Sequence, residues 1–491
     1  MEIRVSLSNH SMLNVEADSG IGAEISDYFS FYVPGYRFMP AYKNKVWDGK
    51  IRMFNRMTGE LNAGLYVYLF KFCTERGYEI VLEETEYGLP GTLEKVPDYD
   101  NWIKTCQLKF EPYEYQHNAV TAALSRQRAI LLSPTGSGKS YIIYLIIRYY
   151  MNMINEDKQI LIIVPTTSLV EQMYNDFEDY GMLVDKAVHR IYSGKDKNTK
   201  KRIIVSTWQS IYKNPKKWFE KFGMIIGDEC HGFKSKSLSS IMNKATEAKY
   251  KIGTTGTLDG TQTHKLVLEG LFGPVYKVVT TKSLQDDKTL AALNISILTL
   301  KYDDQTRQQV KDYTYQDEID FIVSHEKRNK FIRNLAVDQK GNTLVLFQRV
   351  DKHGKILFDL ITDKISSDRK AFFVSGQTET SDREAIRKIV EKQYGAIIVA
   401  SLGTFSTGIN IRNLHNIIFA SPSKSQIKVL QSIGRGLRKA DDGSDTRLFD
   451  IADDLRWKKR NNYTLSHSEE RIRIYKQEQF NFKRYEIGLE S

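Results

Sequence analysis

Two short blocks carry the residue types best suited to chemistry. Ser133–Ser140 reads SPTGSGKS behind the apolar run AILL, and Asp228–His231 reads DECH at the end of the apolar run MII. Small residues leading from a strand into a helix leave backbone N–H groups unpaired beside the positive end of the helix dipole, which is a setting for phosphate. In such a loop Thr135, Gly136, Ser137 and Gly138 cradle the phosphates, Lys139 reaches the terminal ones, and the Ser140 hydroxyl ligates Mg²⁺. Gly-Lys-Ser alone is a modest signal, and Ser133 stands where Gly or Ala is usual, so context has to support it. DECH provides that context 89 residues after Lys139: hydrolysis of a phosphoanhydride needs one carboxylate to hold Mg²⁺ and a second to position water, and Asp228 and Glu229 at a strand's end supply both. A third element is QSIGRGLRK, where Arg435 and Arg438 share a helix face and can meet one anion. A guanidinium on a terminal phosphate is worth on the order of 10³ to 10⁵ in rate in GTPases. Carried on a separate domain, it makes hydrolysis depend on domain closure.

The elements that position these groups follow from pattern. Continuous apolar runs (AILLS, QILIIVP, RIIVS, MIIGDE, then TLVLF, AFFVS, AIIVAS, NIIFAS) alternate with helical segments, which predicts α/β architecture with two doubly wound parallel sheets. We place the first of these sheet domains at 110–285 and the second at 286–455. Before them, residues 1–88 mix strand-like runs (EIRVSL, KIRMF, YEIVLE) with helix-like runs (GAEISDYFSFYV, GLYVYLFKFCTERG), a small α+β module. Residues 89–109 form a linker carrying Pro and Gly. Residues 456–491 are expected to be a basic turn followed by an amphipathic C-terminal helical extension.

Composition bounds the remaining choices. At 491 residues the chain exceeds one hydrophobic core, and 41% hydrophobic with 27% charged residues is globular rather than disordered. Three dispersed cysteines, Cys73, Cys106 and Cys230, support neither a disulfide framework nor a zinc site and point to a reducing, cytoplasmic setting. No apolar run reaches membrane-span length and the N-terminus lacks a signal-peptide core, so a soluble protein without membrane partners is expected. The net charge of +11 permits a polyanionic partner, and nine Lys/Arg against two acids between 195 and 221 concentrate it, although a solvated face reads equally well.

Taken together and in this order, the blocks resemble the superfamily 2 helicases and translocases over about residues 110–455. EYQ resembles the adenine-reading block with Gln116 as base contact, SPTGSGKS motif I, VPTTSLVEQ motif Ia, STWQS motif Ib, DECH motif II and TGT (Thr255–Thr257) motif III; GNTLVLFQRVDKHG, TFSTGIN and QSIGRGLR resemble motifs IV, V and VI. The resemblance implies two RecA-like domains that use ATP and Mg²⁺ and grip a nucleic-acid strand. It implies that Thr166, Thr207 and Thr404 contact backbone phosphates and that Thr255 and Thr257 couple ATP state to movement. His231, Gly408 and Gln431 would lie at the ATP cleft. Threonines at strand ends are also common caps and turn formers, and that reading stays open. Tyr113 replaces an arginine frequent in relatives two residues before the Tyr115-Gln116 pair, which shifts adenine recognition toward stacking.

Residues 34–56 hold six Lys/Arg, including Arg37, Lys43, Lys45, Lys50 and Arg52, against Asp48 alone, interleaved with Tyr36, Phe38, Tyr42, Trp47 and Phe54. Cations neutralise phosphates, and aromatics such as Trp47 stack on bases or wedge a junction; the competing reading places these aromatics in the module's core. Over its whole length the chain also resembles the phage recombination and repair members of the superfamily. This implies a monomer unwinding and branch-migrating forked or four-way DNA, with action on single strands and DNA·RNA hybrids. An RNA-remodelling helicase and a subunit of a larger DNA-processing machine remain the alternatives.

Overall fold

The computed structural model describes residues 2–96, 99–134, 136–154, 157–192, 196–232, 235–258, 262–280, 283–284, 293–404, 411, 413–421, 445–458, 460–477 and 479–489. It divides into two compact units: Met1–Ser133 with Gly138–Val278, and Val279–Ser491 with Pro134–Ser137.

The first unit begins with the α+β module. Its sheet runs Phe54–Asn55, Glu60–Asn62, Met12–Glu16, Glu2–Asn9, Glu79–Glu83, and only the last pair is parallel. The helices Ser19–Tyr28 and Tyr66–Arg76 lie in the long connection that a parallel pairing requires. The Asp18 side chain caps the first by accepting from Gly20 N and Ile21 N. That helix stops earlier than its apolar pattern predicts, because Ser30–Tyr32 pairs as a strand with Lys50–Arg52. Ile3, Val5, Leu13, Ile25, Leu69 and Phe72 form the core, and Leu266 from the motor joins it.

A seven-stranded, fully parallel sheet follows in the order Val188–Ile191, Ile203–Thr207, Gln159–Val164, Phe222–Asp228, Tyr250–Thr255, Arg128–Leu132, Val275–Lys277. Alternate residues of its central strands serve two cores: Ile160 and Ile162 pack on one face, Leu161 and Ile163 on the other. Burial on both faces explains why these strands read as unbroken apolar runs. The helix Lys139–Tyr149 buries eight residues, from Tyr141 through Ile147 and Tyr149, so its sequence shows no polar face. Within the expected linker, Tyr99–Thr105 is a helix whose Tyr99 and Trp102 enter the motor core.

The second unit has its own seven-stranded parallel sheet in the order Ala371–Val374, Ile397–Ser401, Thr343–Phe347, Asn416–Phe419, Thr446–Asp454, Leu293–Lys301, Phe482–Gly488. Strand Thr446–Asp454 carries buried acids that anchor the surrounding helices. Asp453 meets Arg328 at 2.7 Å and accepts from Tyr302, while Asp450 meets Arg471 at 2.7 Å and accepts from Tyr475. The C-terminal helix occupies Tyr463–Gln477, its first turn held by Glu318, which accepts from Tyr463 N and Thr464 N. The helical expectation for the tail needs correction beyond that point, since Phe482–Gly488 is an edge strand parallel to Leu293–Lys301. Aromatic and branched residues at Phe482, Tyr485 and Ile487 favour that conformation once a sheet edge is available.

Candidate active site

The strand Arg128–Leu132 delivers Ser133 into the glycine loop, where Gly136 and Gly138 take φ of +87° and +77°. Gly138 needs glycine twice over, because a Cβ there would also lie 2.5 Å from Gln116 Nε2. The buried Gln116 therefore sits directly against the loop, its Oε1 accepting from Tyr113 N at 3.0 Å. Beside it the Tyr113 and Tyr115 rings stack at 5.5 Å and 8°, with Tyr113 largely exposed. Ser137 Oγ donates to Pro134 O at 2.6 Å, closing the loop on itself.

Lys139 Nζ lies 3.3 Å from Ser133 O and 3.3 Å from Glu229 Oε1. Glu229 adopts a left-handed backbone with φ of +49°, a conformation costing a non-glycine residue on the order of 1 kcal/mol and typical of functional sites. Its Oε2 is 3.3 Å from His231 Nδ1, and that nitrogen is 2.6 Å from Thr255 Oγ1. Because Thr255 Oγ1 donates its own proton to Thr257 O at 2.7 Å, the proton shared with His231 belongs to Nδ1. Lys139 and Glu229 thus form an ion pair, and His231, Thr255 and Thr257 form a hydrogen-bonded chain that approaches it at Glu229 Oε2. Thr257 Oγ1 is itself buried without a partner among the described residues.

Asp228 is buried and accepts from Thr254 Oγ1 at 2.7 Å. Burial and the adjacent Glu229 charge push its carboxyl up to about 6, against the pull of Lys139. A carboxylate held so reluctantly in its charged form is stabilised by a cation. The oxygen donors Asp228 and Ser140 suit Mg²⁺, which takes one or two protein ligands and completes its shell with phosphates and water. Burial pushes the neighbouring Cys230 thiol up, leaving it inert.

Other expected contacts are placed less decisively. Thr166 caps the helix Thr167–Asp179 by accepting from Leu169 N at 3.4 Å, Thr207 Oγ1 pairs with Ser210 Oγ at 2.9 Å, and Thr404 Oγ1 accepts from Ser401 Oγ at 2.6 Å. All three have the local partners of caps and turns, and each hydroxyl retains bonding capacity. Thr135, Gly408, Gln431, Arg435 and Arg438 lie outside the described residues. Motif reading missed Thr254, which fixes Asp228, and Tyr180, whose hydroxyl is 2.9 Å from Ser140 Oγ. Neither position has a local signature.

The 34–56 segment divides between its two readings. Phe54 belongs to the module's core, whereas Phe38 is 80% exposed and Val46 81% exposed. Tyr32 and Tyr36 stack at 4.6 Å, Tyr36 meets Tyr42 edge-on at 4.8 Å, and Trp47 Nε1 donates to Lys50 O at 2.8 Å, giving the lobe its own small framework. Lys43 and Lys45 are exposed, Arg37 bonds Tyr36 OH, Lys50 lies over the Tyr32 ring, and Arg52 is paired with Asp48. In the other basic stretch, Lys197 and Lys201 bond Asn214 Oδ1 and Val188 O, so part of that charge serves structure.

Comparison with known proteins agrees with this geometry. Residues 2–83 match the family described as DNA helicase UvsW, N-terminal; 109–260 match Type III restriction enzyme, res subunit; and 326–440 match Helicase conserved C-terminal domain. The ATP-dependent DNA helicase uvsW of Enterobacteria phage T4 is 36% identical over 513 aligned residues, covering 100% of both chains. The chain belongs to the UvsW family of superfamily 2 helicases. The crystal structure of T4 UvsW aligns with a TM-score of 0.53 at 35% identity over 100% of both chains. A more distant relative, the DNA 3'-5' translocase XPB2 of Sulfurisphaera tokodaii, is 27% identical over 68% of this chain and 80% of its own. This protein is a UvsW-like, ATP-dependent DNA helicase, with two parallel-sheet motor domains, an N-terminal α+β domain and a C-terminal helix. No helix among its described residues is long and apolar enough to cross a membrane.

Proposed function

We propose that this UvsW-family helicase uses ATP to remodel branched DNA, unwinding forks and migrating four-way junctions during recombination, repair and replication restart. It works as a monomer in the host cytoplasm and also accepts single strands and DNA·RNA hybrids. Ser140 and Asp228 would hold Mg²⁺, which would supply charge neutralisation on the phosphates. Lys139 binds the terminal phosphate, and Glu229 orients the attacking water. His231 and Thr255 carry the state of Glu229 to Thr257. Arg435 and Arg438 stabilise the charge that develops on the phosphate, and Gln116 reads adenine beside the stacked tyrosines. Thr166, Thr207 and Thr404 hold the strand by its phosphates.

The observation that supports a branch-specific role is the N-terminal lobe, where exposed Phe38 and Val46 stand among Arg37, Lys43 and Lys45. Apolar wedges flanked by cations unstack a base step while neutralising the phosphates around it. The test is ATP hydrolysis with matched forked DNA, linear duplex, single-stranded DNA and RNA at one salt concentration. Strongest stimulation by the fork is expected. Equal stimulation by fork and linear duplex would overturn the branch-specific reading, and preference for RNA would overturn the DNA-repair role.

A further inference from the structure

Ser140 has a partner that no motif includes. Tyr180 follows the helix Thr167–Asp179, its N–H donating to Asp176 O at 2.9 Å, and its hydroxyl lies 2.9 Å from Ser140 Oγ. Its placement is over-determined. The ring lies edge-on to Tyr141 at 4.9 Å and to Tyr144 at 5.3 Å, and Phe110 approaches edge-on at 6.1 Å. Tyr144 OH donates to Tyr180 O at 3.0 Å and itself accepts from Arg148 at 2.6 Å. Both the ring and the backbone of Tyr180 are therefore fixed, so its hydroxyl meets Ser140 at a set position.

A serine hydroxyl has one proton and two lone pairs. To ligate a cation it must present a lone pair and send its proton elsewhere. In the first turn of a helix the competing acceptor is a backbone carbonyl of the preceding turn, and that bond would turn the oxygen away. We propose that Tyr180 is a positioning residue for the magnesium site: its phenolic oxygen takes the Ser140 proton and so holds a Ser140 lone pair ready for Mg²⁺. This inference rests on Ser140 being a magnesium ligand. Partners that orient a metal ligand from behind are commonly worth 10- to 100-fold in metal affinity.

The experiment titrates Mg²⁺ into the full chain with the fluorescent nucleotide mant-ADP, starting in EDTA, for wild type, Tyr180→Phe, Tyr144→Phe and Ser140→Ala, with a thermal melt of each. Tyr180→Phe keeps the packed ring and removes only the hydroxyl. The expected result is a half-saturating Mg²⁺ concentration raised about tenfold or more, with affinity in EDTA unchanged and Tyr144→Phe, which loosens Tyr180 but keeps its hydroxyl, shifting the titration by less. If Ser140→Ala shifts the titration and Tyr180→Phe does not, the role of Tyr180 falls while the magnesium site stands. If Tyr180→Phe weakens binding equally in EDTA and in Mg²⁺, the residue shapes the pocket and the proposal is overturned. If Ser140→Ala itself titrates as wild type, the ligand assignment fails and the proposal fails with it.

Discussion

Lys139 and Glu229 lie 3.3 Å apart at the carboxyl end of the first parallel sheet, the lysine opening a helix and the glutamate closing a strand with a left-handed backbone. Their opposite charges neutralise each other across that distance. On the proposed function, a nucleotide's terminal phosphate would compete for the lysine and release the carboxylate toward water. Lys139→Ala is expected to abolish turnover and leave DNA binding largely intact. Glu229→Gln is expected to lower turnover about 10²- to 10⁴-fold with nucleotide binding retained. Phosphate release and mant-nucleotide binding measured in parallel check both.

Thr255→Val removes the oxygen that accepts from His231 and the proton that reaches Thr257 O. A buried donor left unpaired costs about 1–3 kcal/mol. The broken polar chain should also lower strand separation more than DNA-stimulated hydrolysis. The ratio of base pairs opened per ATP, measured on a forked duplex, should fall; an unchanged ratio would remove Thr255 from the coupling path.

Arg328 and Asp453 form an ion pair with both side chains fully shielded from solvent. Asp453→Asn leaves the guanidinium without its counter-charge and is expected to destabilise the second unit by about 3–5 kcal/mol, read from urea unfolding. Arg328→Met with Asp453→Leu should recover most of that loss, since apolar replacement of a buried pair is often neutral.

His353 is fully buried, with Nδ1 2.9 Å from Ser421 Oγ. Burial, reinforced by the Arg328 charge, holds its imidazole down to about 3. The unfolded chain protonates near the usual value of about 6.5, so the folded state is fully favoured above that pH and loses stability as pH falls from about 6.5 toward 3. The drop in melting temperature between pH 7.5 and pH 5 should be smaller in His353→Gln than in wild type. Equal drops would mean that His353 does not set this sensitivity.

The cations of the N-terminal lobe predict a salt signature. Each phosphate contact contributes about 0.9 to the slope of log affinity against log salt on duplex DNA. Replacing Arg37, Lys43 and Lys45 with alanine should reduce that slope by about 2–3 on forked DNA. Phe38→Ala should leave the slope unchanged and reduce unstacking, followed by 2-aminopurine placed at the fork.

The phosphate loop and DECH were legible in the chain because phosphate chemistry dictates residue type, order and spacing at both. Both parallel sheets were legible because strands buried on two faces must be apolar throughout. Thr254 was not, since it reaches Asp228 through the register of two strands that pair across 26 residues. Tyr180 depends on where a helix ends relative to another helix, which no local pattern encodes. The aromatics of residues 34–56 were ambiguous for a simpler reason: a ring suits a core and a base stack equally well, and only the placement of Phe54 inside and Phe38 outside separates them. The last strand was misread as helix because its conformation depends on a sheet edge offered by residues about 190 positions earlier.

The junction of the N-terminal module with the first motor sheet has a further consequence. Lys251 is buried in the strand that leads to Thr255; its Nζ donates to Ser11 Oγ and to Met242 O at 3.1 Å, and burial holds its pKa well below the usual lysine value. Nearby, a Cβ on Gly64 would lie 2.0 Å from Glu269 O, Tyr68 OH donates to Glu269 at 2.7 Å, and Leu266 completes the module's core. Module and motor are therefore not interchangeable parts. A chain cut after the module would expose this lysine and the apolar floor beneath it, so inactivity in such a truncation would report a damaged motor rather than the loss of a separate function of the module. Lineages that trade one half must remake the seam in the other.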